Sequence, residues 1–424
     1  MFITQMLFEI KKTSKALIGV LLVLLLVTLA ISVGHELIQP TYGRSFNPEN
    51  TVLISTFAKN SSKKELKKDL LTKMKRDKKL CLRDLKVGAT KSGLLQSELI
   101  KEQRIVRFYN QAIPLLTANK YQQLNLLSSK LLSSHPDPNN YNLDIWSLGS
   151  GMTSHTHHSG DLFRVQQNAI LKYAPTKVAA ISVYSDALNL ILPTVIGWGE
   201  YDTHSSPLAS TMIIWIVGIL LCASTFSTRR KNFNDTLSEL APLNNFRIYL
   251  AQSLAALIIF DGIILLAYTL IVLFIVVVPG HDLGSFSFPI VTSANGIFIS
   301  NSITSLLAEA LFYYTLWFIQ LSGLAIILHQ FTKSQVLIAF LLTIASFAQQ
   351  LGILSLLPEA SAAVTPAHFI NLPQLMLHFA PFGSVTMTSF AAIAVTWTSL
   401  TMSLSIIISR LRHSVNYQNA QGLR

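Results

Sequence analysis

Long apolar runs alternate with polar segments along the chain. A helix that crosses the hydrocarbon core of a bilayer needs about 20 mostly apolar residues, because the core is about 30 Å thick and each residue rises about 1.5 Å. Six runs are long enough, and we predict a membrane-spanning helix for each. They are Ala16–Gly34, Leu208–Phe226, Ile248–Val278, Ile303–Leu328, Val336–Leu357 and Val385–Ser409.

The polar segment 35–207 separates the first two runs and is predicted to be a mainly α-helical domain. In its first half, apolar residues recur at helical intervals with lysines between them, as on one face of an amphipathic helix. These residues are Leu66, Leu70, Met74, Cys81 and Leu85. The predicted fold class is therefore an all-α polytopic membrane protein. Residues 1–34 hold an interfacial helix and the first span, and residues 208–424 hold the other five spans.

The positions of lysine and arginine orient the predicted spans. Short cytoplasmic loops retain positive charge, whereas long translocated domains are exempt from this rule. With both termini in the cytoplasm, every basic residue outside 35–207 falls on the cytoplasmic side, and the outward loops 279–302 and 358–384 contain none. These basic residues are Lys11, Lys12, Lys15, Arg229, Arg230, Lys231, Arg247, Lys333, Arg410, Arg412 and Arg424. We predict a multi-pass cell-membrane protein with residues 35–207 extracytoplasmic.

Composition supports a membrane protein. Of 424 residues, 50% are hydrophobic and 13% are charged, whereas soluble domains carry about a quarter charged residues. Cys81 and Cys222 fall in different predicted compartments, so we expect no disulfide bond between them. The first apolar run has no convincing small-x-small cleavage site at its end, and we interpret it as a retained anchor.

Several catalytic motifs are absent from the sequence. It contains no GxxxxGK[ST] loop, no HExxH and no GxSxG. The chain therefore does not hydrolyse ATP through a P-loop, and the simplest cases for a membrane metalloprotease or a lipase are excluded.

The predicted cytoplasmic loop 228–247 has an unusual order of features. A basic stretch is followed by a helix-like piece, Asp235–Leu240, and by a break at Ala241-Pro242. Asp235 suits a helix cap and Pro242 a helix stop. On these residues alone, the alternative is an ordinary positively charged loop that only fixes the topology.

This loop resembles the coupling region of type-2 ABC exporter permeases. Leu237, Leu240, Pro242 and Arg247 match the family pattern of a short leucine-bearing helix, a Leu-x-Pro step and an arginine that opens a long span; Ala241 and the Asn244-Asn245 pair are less typical. The resemblance implies that a coupling helix docks on a separate cytoplasmic ATPase subunit. The residues implied in this contact are Asp235, Leu237, Glu239, Leu240, Pro242 and Arg247.

The resemblance extends over about the last 220 residues and to the N-terminus. The family has five spans after the extracytoplasmic domain and short re-entrant helices before the last span, where this chain has Pro373 and Ala380-Pro381-Phe382. Met6–Lys12 is similar to the family's interfacial connecting helix.

The implied function is that of a membrane-spanning permease subunit of an ABC exporter. It would move a lipid, peptide or drug-like substrate outward and would not itself be an enzyme. The resemblance implies no cofactor on this chain, with ATP and Mg on the partner. It further implies a second permease copy or homologue, contact with membrane lipid, and no nucleic acid.

Two acidic residues, Asp261 and Glu309, lie at membrane depth in the predicted third and fourth spans. A charge in the bilayer centre costs at least about 2.5–3.5 kcal/mol, so such residues usually face a protein interior or a water path. We regard both as candidates for the translocation pathway. The alternative is a protonated or hydrogen-bonded packing residue.

His155, His157 and His158 are weak candidates for a metal site. Histidine-rich tracts can bind zinc or copper. Here the histidines lie among Ser, Thr and Gly without a visible second set of ligands, so a solvated loop is favoured and no metal is predicted.

Two other function classes fit parts of the sequence. A membrane-bound enzyme acting on lipid or cell-wall precursors would use Asp261, Glu309 or a histidine as acid or base. A peptide sensor would use the extracytoplasmic domain, but the four-span permease family with a similar domain has only three spans after it. The five spans predicted here argue against the sensor.

Overall fold

A computed structural model of the chain consists mainly of α-helices. It describes residues 2–38, 62–88, 96–134, 159–178, 181–182, 185–196, 209–227, 245–294, 297–370, 372–376 and 387–421. The helices are α1 (Phe2–Lys12), α2 (Lys15–Ile38), α3 (Lys63–Gly88), α4 (Gln96–Thr117), α5 (Tyr121–Ser134), α6 (Ser159–Tyr173), α7 (Ala187–Ile196), α8 (Ala209–Ser227), α9 (Asn245–Val277), α10 (Ile303–Phe331), α11 (Gln335–Ser346), α12 (Glu359–Ala362), α13 (Leu372–Met376) and α14 (Met387–Gln421).

Four of these helices are long and apolar enough to cross a bilayer. They are α2, α9, α10 and α14, which correspond to the first, third, fourth and last predicted runs. The chain is therefore a largely α-helical membrane protein. The second and fifth predicted runs contain the shorter apolar helices α8 and α11.

The fifth predicted run does not form one continuous helix. α11 ends at Ser346, and the turns after it close at Gly352, which has a φ of 72°. The Ile353 amide donates to the Ala348 carbonyl oxygen at 2.8 Å and the Gly352 amide donates to that of Gln349 at 3.0 Å. This is a Schellman motif, which ends a helix at a glycine in the left-handed region. Short 3-10 helices follow at Leu354–Leu356 and Pro366–Ile370.

A β-hairpin between α9 and α10 was not predicted. β1 (Pro289–Ala294) pairs antiparallel with β2 (Ile297–Ser302), and the Ile303 amide donates to the Phe288 carbonyl oxygen at 3.1 Å as α10 begins. The end of the bundle at which α9 ends and α10 begins is called the hairpin end below.

Helices α9 and α10 are antiparallel neighbours. Gln330 Nε2, near the end of α10, donates to the Tyr249 hydroxyl near the start of α9 at 3.0 Å. Closer to the hairpin end, the rings of Phe260 and Phe318 stack with their centroids 4.5 Å apart. The end of the bundle that holds Tyr249 and Gln330 lies opposite the hairpin end. It also holds the exposed Arg247 and is called the basic end below.

Helices α8 and α14 run in the same direction as α10. On α8, Trp215 packs on Trp317, and Cys222 lies 3.6 Å from the Ser322 hydroxyl. On α14, Phe390 packs on Tyr313, with ring centroids 4.8 Å apart. Further along, α14 meets Gly323, where an added Cβ would overlap the Thr401 hydroxyl.

The helices α3–α5, called the polar domain below, have a hydrophobic core of their own, whereas Ile170 of α6 belongs to the core of the bundle. The α3 residues Leu66, Leu70, Met74 and Cys81 are buried together with Tyr109 of α4. The helical face predicted from their spacing is confirmed for these four. Leu85 is only partly buried.

Candidate functional site

The predicted coupling residues fall mostly outside the described part of the chain. Five of them are not among the described residues, so their role stays a prediction: Asp235, Leu237, Glu239, Leu240 and Pro242. Arg247 is described: it is the third residue of α9, and it is exposed. The histidines His155, His157 and His158 also lie outside the described residues.

Asp261 is half-buried on α9 and faces α10. The Thr315 hydroxyl lies 3.2 Å from Asp261 Oδ1 and 3.3 Å from Oδ2, and donates to the carboxylate. A hydroxyl donor partly satisfies a carboxyl group at membrane depth. The acid therefore links two helices.

Glu309 is also half-buried but has a different partner. The Ser305 hydroxyl, one turn earlier on α10, donates to Glu309 Oε1 at 3.0 Å. The structure thus joins Asp261 to another helix and Glu309 to its own helix. It does not pair the two carboxyl groups with each other.

A short apolar helix, α7, enters the bundle from the hairpin end. The Ala187 amide donates to the Asp282 carbonyl oxygen at 2.8 Å, which fixes the start of α7 beside the loop after α9. At its other end, the Tyr268 hydroxyl donates to the Thr194 carbonyl oxygen and the Tyr314 hydroxyl to that of Val195, both at 3.0 Å. Tyr314 is eleven residues into α10. α7 therefore ends well inside the bundle, although the sequence placed it in the segment 35–207.

A second short segment ends on a neighbouring face of α10. The Tyr313 hydroxyl donates to the carbonyl oxygen of Phe369, in the 3-10 helix before α13, at 2.7 Å. Carbonyl groups at helix ends need protein donors where water is excluded. The adjacent residues Tyr313 and Tyr314 of α10 thus each donate a hydrogen bond to a short segment inside the bundle, the 3-10 helix Pro366–Ile370 and α7.

The interior also contains polar atoms that find no partner among the described residues. They are Trp215 Nε1, Ser253 Oγ and both amide atoms of Gln320. Each residue is at most 9% exposed. The hydropathy pattern does not indicate these groups, because single polar residues barely change the average of a long apolar run.

The loop after α9 joins the polar domain to the bundle through an ion pair. Lys63 Nζ at the start of α3 lies 2.6 Å from Asp282 Oδ2. Within the segment that precedes α7, Lys177 Nζ lies 2.8 Å from the buried Asp186 Oδ2. The hydrogen bond from Lys63 holds the pKa of Asp282 below its usual range. Burial lowers the pKa of His281, whose Nδ1 lies 3.2 Å from the Ser185 carbonyl oxygen.

No protein-family model, curated protein or solved structure matches this chain. The arrangement itself combines a bundle of apolar helices, two segments that end inside it, and polar groups in its interior. Among the residues that the structure describes, no group of three His, Cys, Asp or Glu side chains could hold a metal ion.

Proposed function

We propose that the chain is the membrane-spanning permease subunit of an ABC exporter, driven by ATP hydrolysis on a separate cytoplasmic subunit. The observation that carries the proposal is the difference between the two ends of the bundle. The polar domain is attached at the hairpin end through Lys63 and Asp282. Arg247 and Lys333 lie at the basic end, from which the predicted coupling loop leads into α9.

The N-terminal helix supports the same proposal. α1 packs against α9 and leaves the apolar residues Ile3 and Leu7 exposed, while Glu9 is buried and accepts from Gln5 Nε2 at 2.8 Å. A helix with an outward apolar face and lysines at its end suits the surface of a membrane. It corresponds to the interfacial connecting helix of the exporter family.

The interior of the bundle is also suited to transport. Short segments that end at membrane depth, as α7 does, are tolerated where they are buried in protein or line a cavity. Discontinuous helices of this kind form the substrate sites of many transporters. In the proposed mechanism, the two ends of the bundle open in alternation as the ATPase subunit cycles.

The test is to purify the tagged full chain from its native membranes together with its bound partners. We expect a P-loop ATPase subunit to co-purify and the complex to hydrolyse ATP, whereas the chain alone does not. Replacing Leu237 and Leu240 together by Ala should lower ATP hydrolysis by the complex several-fold. The matched control is Val336→Ala, an exposed apolar residue at the start of α11, which should leave the rate unchanged.

Two results would contradict the proposal. One is ATP hydrolysis by the purified chain alone at the rate of a transporter. The other is a chemical turnover of lipid or cell-wall precursors that Asp261→Asn abolishes while the leucine substitutions have no effect. That pattern would identify a membrane-bound enzyme.

A further inference from the structure

Gln320 lies in the middle of α10 and has no hydrogen-bond partner for its side chain among the described residues. The residue is 8% exposed, and both Nε2 and Oε1 are buried. Leaving a buried polar group unpaired costs about 1–3 kcal/mol. A leucine would fill a similar volume without that cost, so packing alone does not explain a glutamine here.

A second buried donor lies close to the same level of the bundle. Trp215 on α8 is fully buried, and its indole N–H is also unpartnered among the described residues. The Trp215 ring centroid is 6.3 Å from that of Trp317, which precedes Gln320 on α10 by one helical turn. Residues three apart on a helix are neighbours. Trp215 and Gln320 are therefore both neighbours of Trp317.

Aromatic side chains surround the Trp215 indole. Phe347, just after α11, packs edge-on against Trp215 with ring centroids 5.7 Å apart. Helices α8 and α11 contain no Asp, Glu, Lys or Arg, and neither do residues 310–328 of α10 or 387–408 of α14. On α9, Asp261 is bonded to Thr315, five residues before Gln320 on α10. An anionic group brought here would lose its hydration without a cationic partner, which is far more costly than bringing a neutral one.

We propose that Gln320 and Trp215 form a binding site for a neutral amphipathic substrate that carries an amide group. The Gln320 side chain offers one acceptor and two hydrogen atoms to donate, which complements an amide, and the Trp215 N–H adds a donor for its carbonyl oxygen. The rings of Trp317 and Phe347 take the hydrocarbon part. This inference rests on the permease function proposed above and names the class of substrate.

The first measurement is the thermal stability of the full chain in lipid nanodiscs. Gln320→Leu removes the unpaired amide, so its Tm should rise by about 2 °C. The matched control is Gln330→Leu on the same helix, because Gln330 donates to Tyr249 and its loss should lower the Tm. A fall in Tm for Gln320→Leu similar to that of the control would show that Gln320 is a structural residue, and would overturn the proposal.

The second measurement is ligand binding to the same nanodiscs, followed by tryptophan fluorescence. The probes are decanamide, decanoate and decane, which share a chain and differ in the head group. We expect wild-type protein to bind decanamide and Gln320→Leu to bind it about tenfold more weakly, the effect of roughly 1.4 kcal/mol of hydrogen bonding. Gln330→Leu should bind as wild type does.

Three binding results would overturn the proposal: no binding of decanamide to wild type, equal binding by Gln320→Leu, or tighter binding of decanoate than of decanamide. Both measurements use the chain without an ATPase subunit. Their failure is therefore distinct from a failure to find that partner.

Discussion

Tyr314 holds the end of α7 through one hydrogen bond, from its hydroxyl to the Val195 carbonyl oxygen at 3.0 Å. Tyr314→Phe keeps the ring and removes the donor. We expect the free energy of unfolding to fall by about 0.6–1.5 kcal/mol, the usual range for one hydrogen bond inside a membrane protein or a soluble core. Denaturation of the reconstituted protein measures the change. Tyr173→Phe, at a residue that is 48% exposed, is the control. Equal stability of Tyr314→Phe and wild type would contradict this role.

Cys81 is buried in the core of the polar domain, and both cysteines are free. Burial and the neighbouring Glu102 carboxyl raise the pKa of the Cys81 thiol to about 12. Because the thiolate is the reactive form, native protein should react with a maleimide very slowly near neutral pH. A Cys222→Ser variant isolates this signal, and denatured protein supplies the fast reference. Labelling of the native variant as fast as the denatured one would show that Cys81 is accessible.

At the scale of the elements, the contact between α10 and α14 depends on Gly323. An added Cβ at this position would overlap the Thr401 hydroxyl, so Gly323→Ala should cost about 1–3 kcal/mol. Adding Thr401→Ala should recover part of the loss. Gly262→Ala on α9 is the matched control, because nothing lies within 4 Å of its added Cβ. Tm values of the four proteins test this, and an unchanged Tm for Gly323→Ala would show that the two helices are not in close contact.

The sequence predicted those elements whose apolar run matches the length of a span. α2, α9, α10 and α14 were found this way, and the face of α3 followed from the spacing of Leu66 to Cys81. The place of α7 inside the bundle was not predicted, because its ten mostly apolar residues are too few to span. Its length was nonetheless a signal, since runs of about 10–14 residues indicate a buried or re-entrant helix.

Other features depend on contacts that a single sequence does not display. Gly352 was a visible stop signal within the fifth run, but a glycine inside an apolar run does not by itself end a membrane helix. The pairing of Asp261 with Thr315 joins residues 54 positions apart, and the lack of a partner for Gln320 depends on the side chains that other helices bring around it. Hydropathy identified Asp261 as unusual; only the packing shows which group it bonds.

For the molecule as a whole, the Lys63–Asp282 ion pair links the polar domain to the bundle. Its side chains are 41% and 50% exposed, so we expect it to contribute about 0–1 kcal/mol. Asp282→Lys should loosen the start of α3, measured as faster cleavage by a protease that does not cut at lysine. Combining it with Lys63→Asp should restore the wild-type rate. A double variant that is still cleaved faster than wild type would show that Lys63 and Asp282 do not form an ion pair.

The same ion pair predicts an acid dependence. The pKa of Asp282 is held below its ordinary value of 3.8, first by the hydrogen bond from Lys63. A group whose pKa is depressed by folding stabilises the protein above its unfolded pKa and loses that effect as the pH falls through the folded value. The cleavage rate of wild type should therefore rise in strong acid, and that of Asp282→Asn should change less.

The position of α7 also determines when the bundle can be completed during synthesis. The ten residues of α7, which include Asn189 and Thr194, are too few for the insertion machinery to recognise as a span, and the tyrosines that hold the end of α7 belong to α9 and α10, which are made later. A ribosome-bound chain that ends before α9 carries α7 without these two hydrogen bonds. The carbonyl oxygens of Thr194 and Val195 therefore gain their tyrosine donors only after residue 314 has been made.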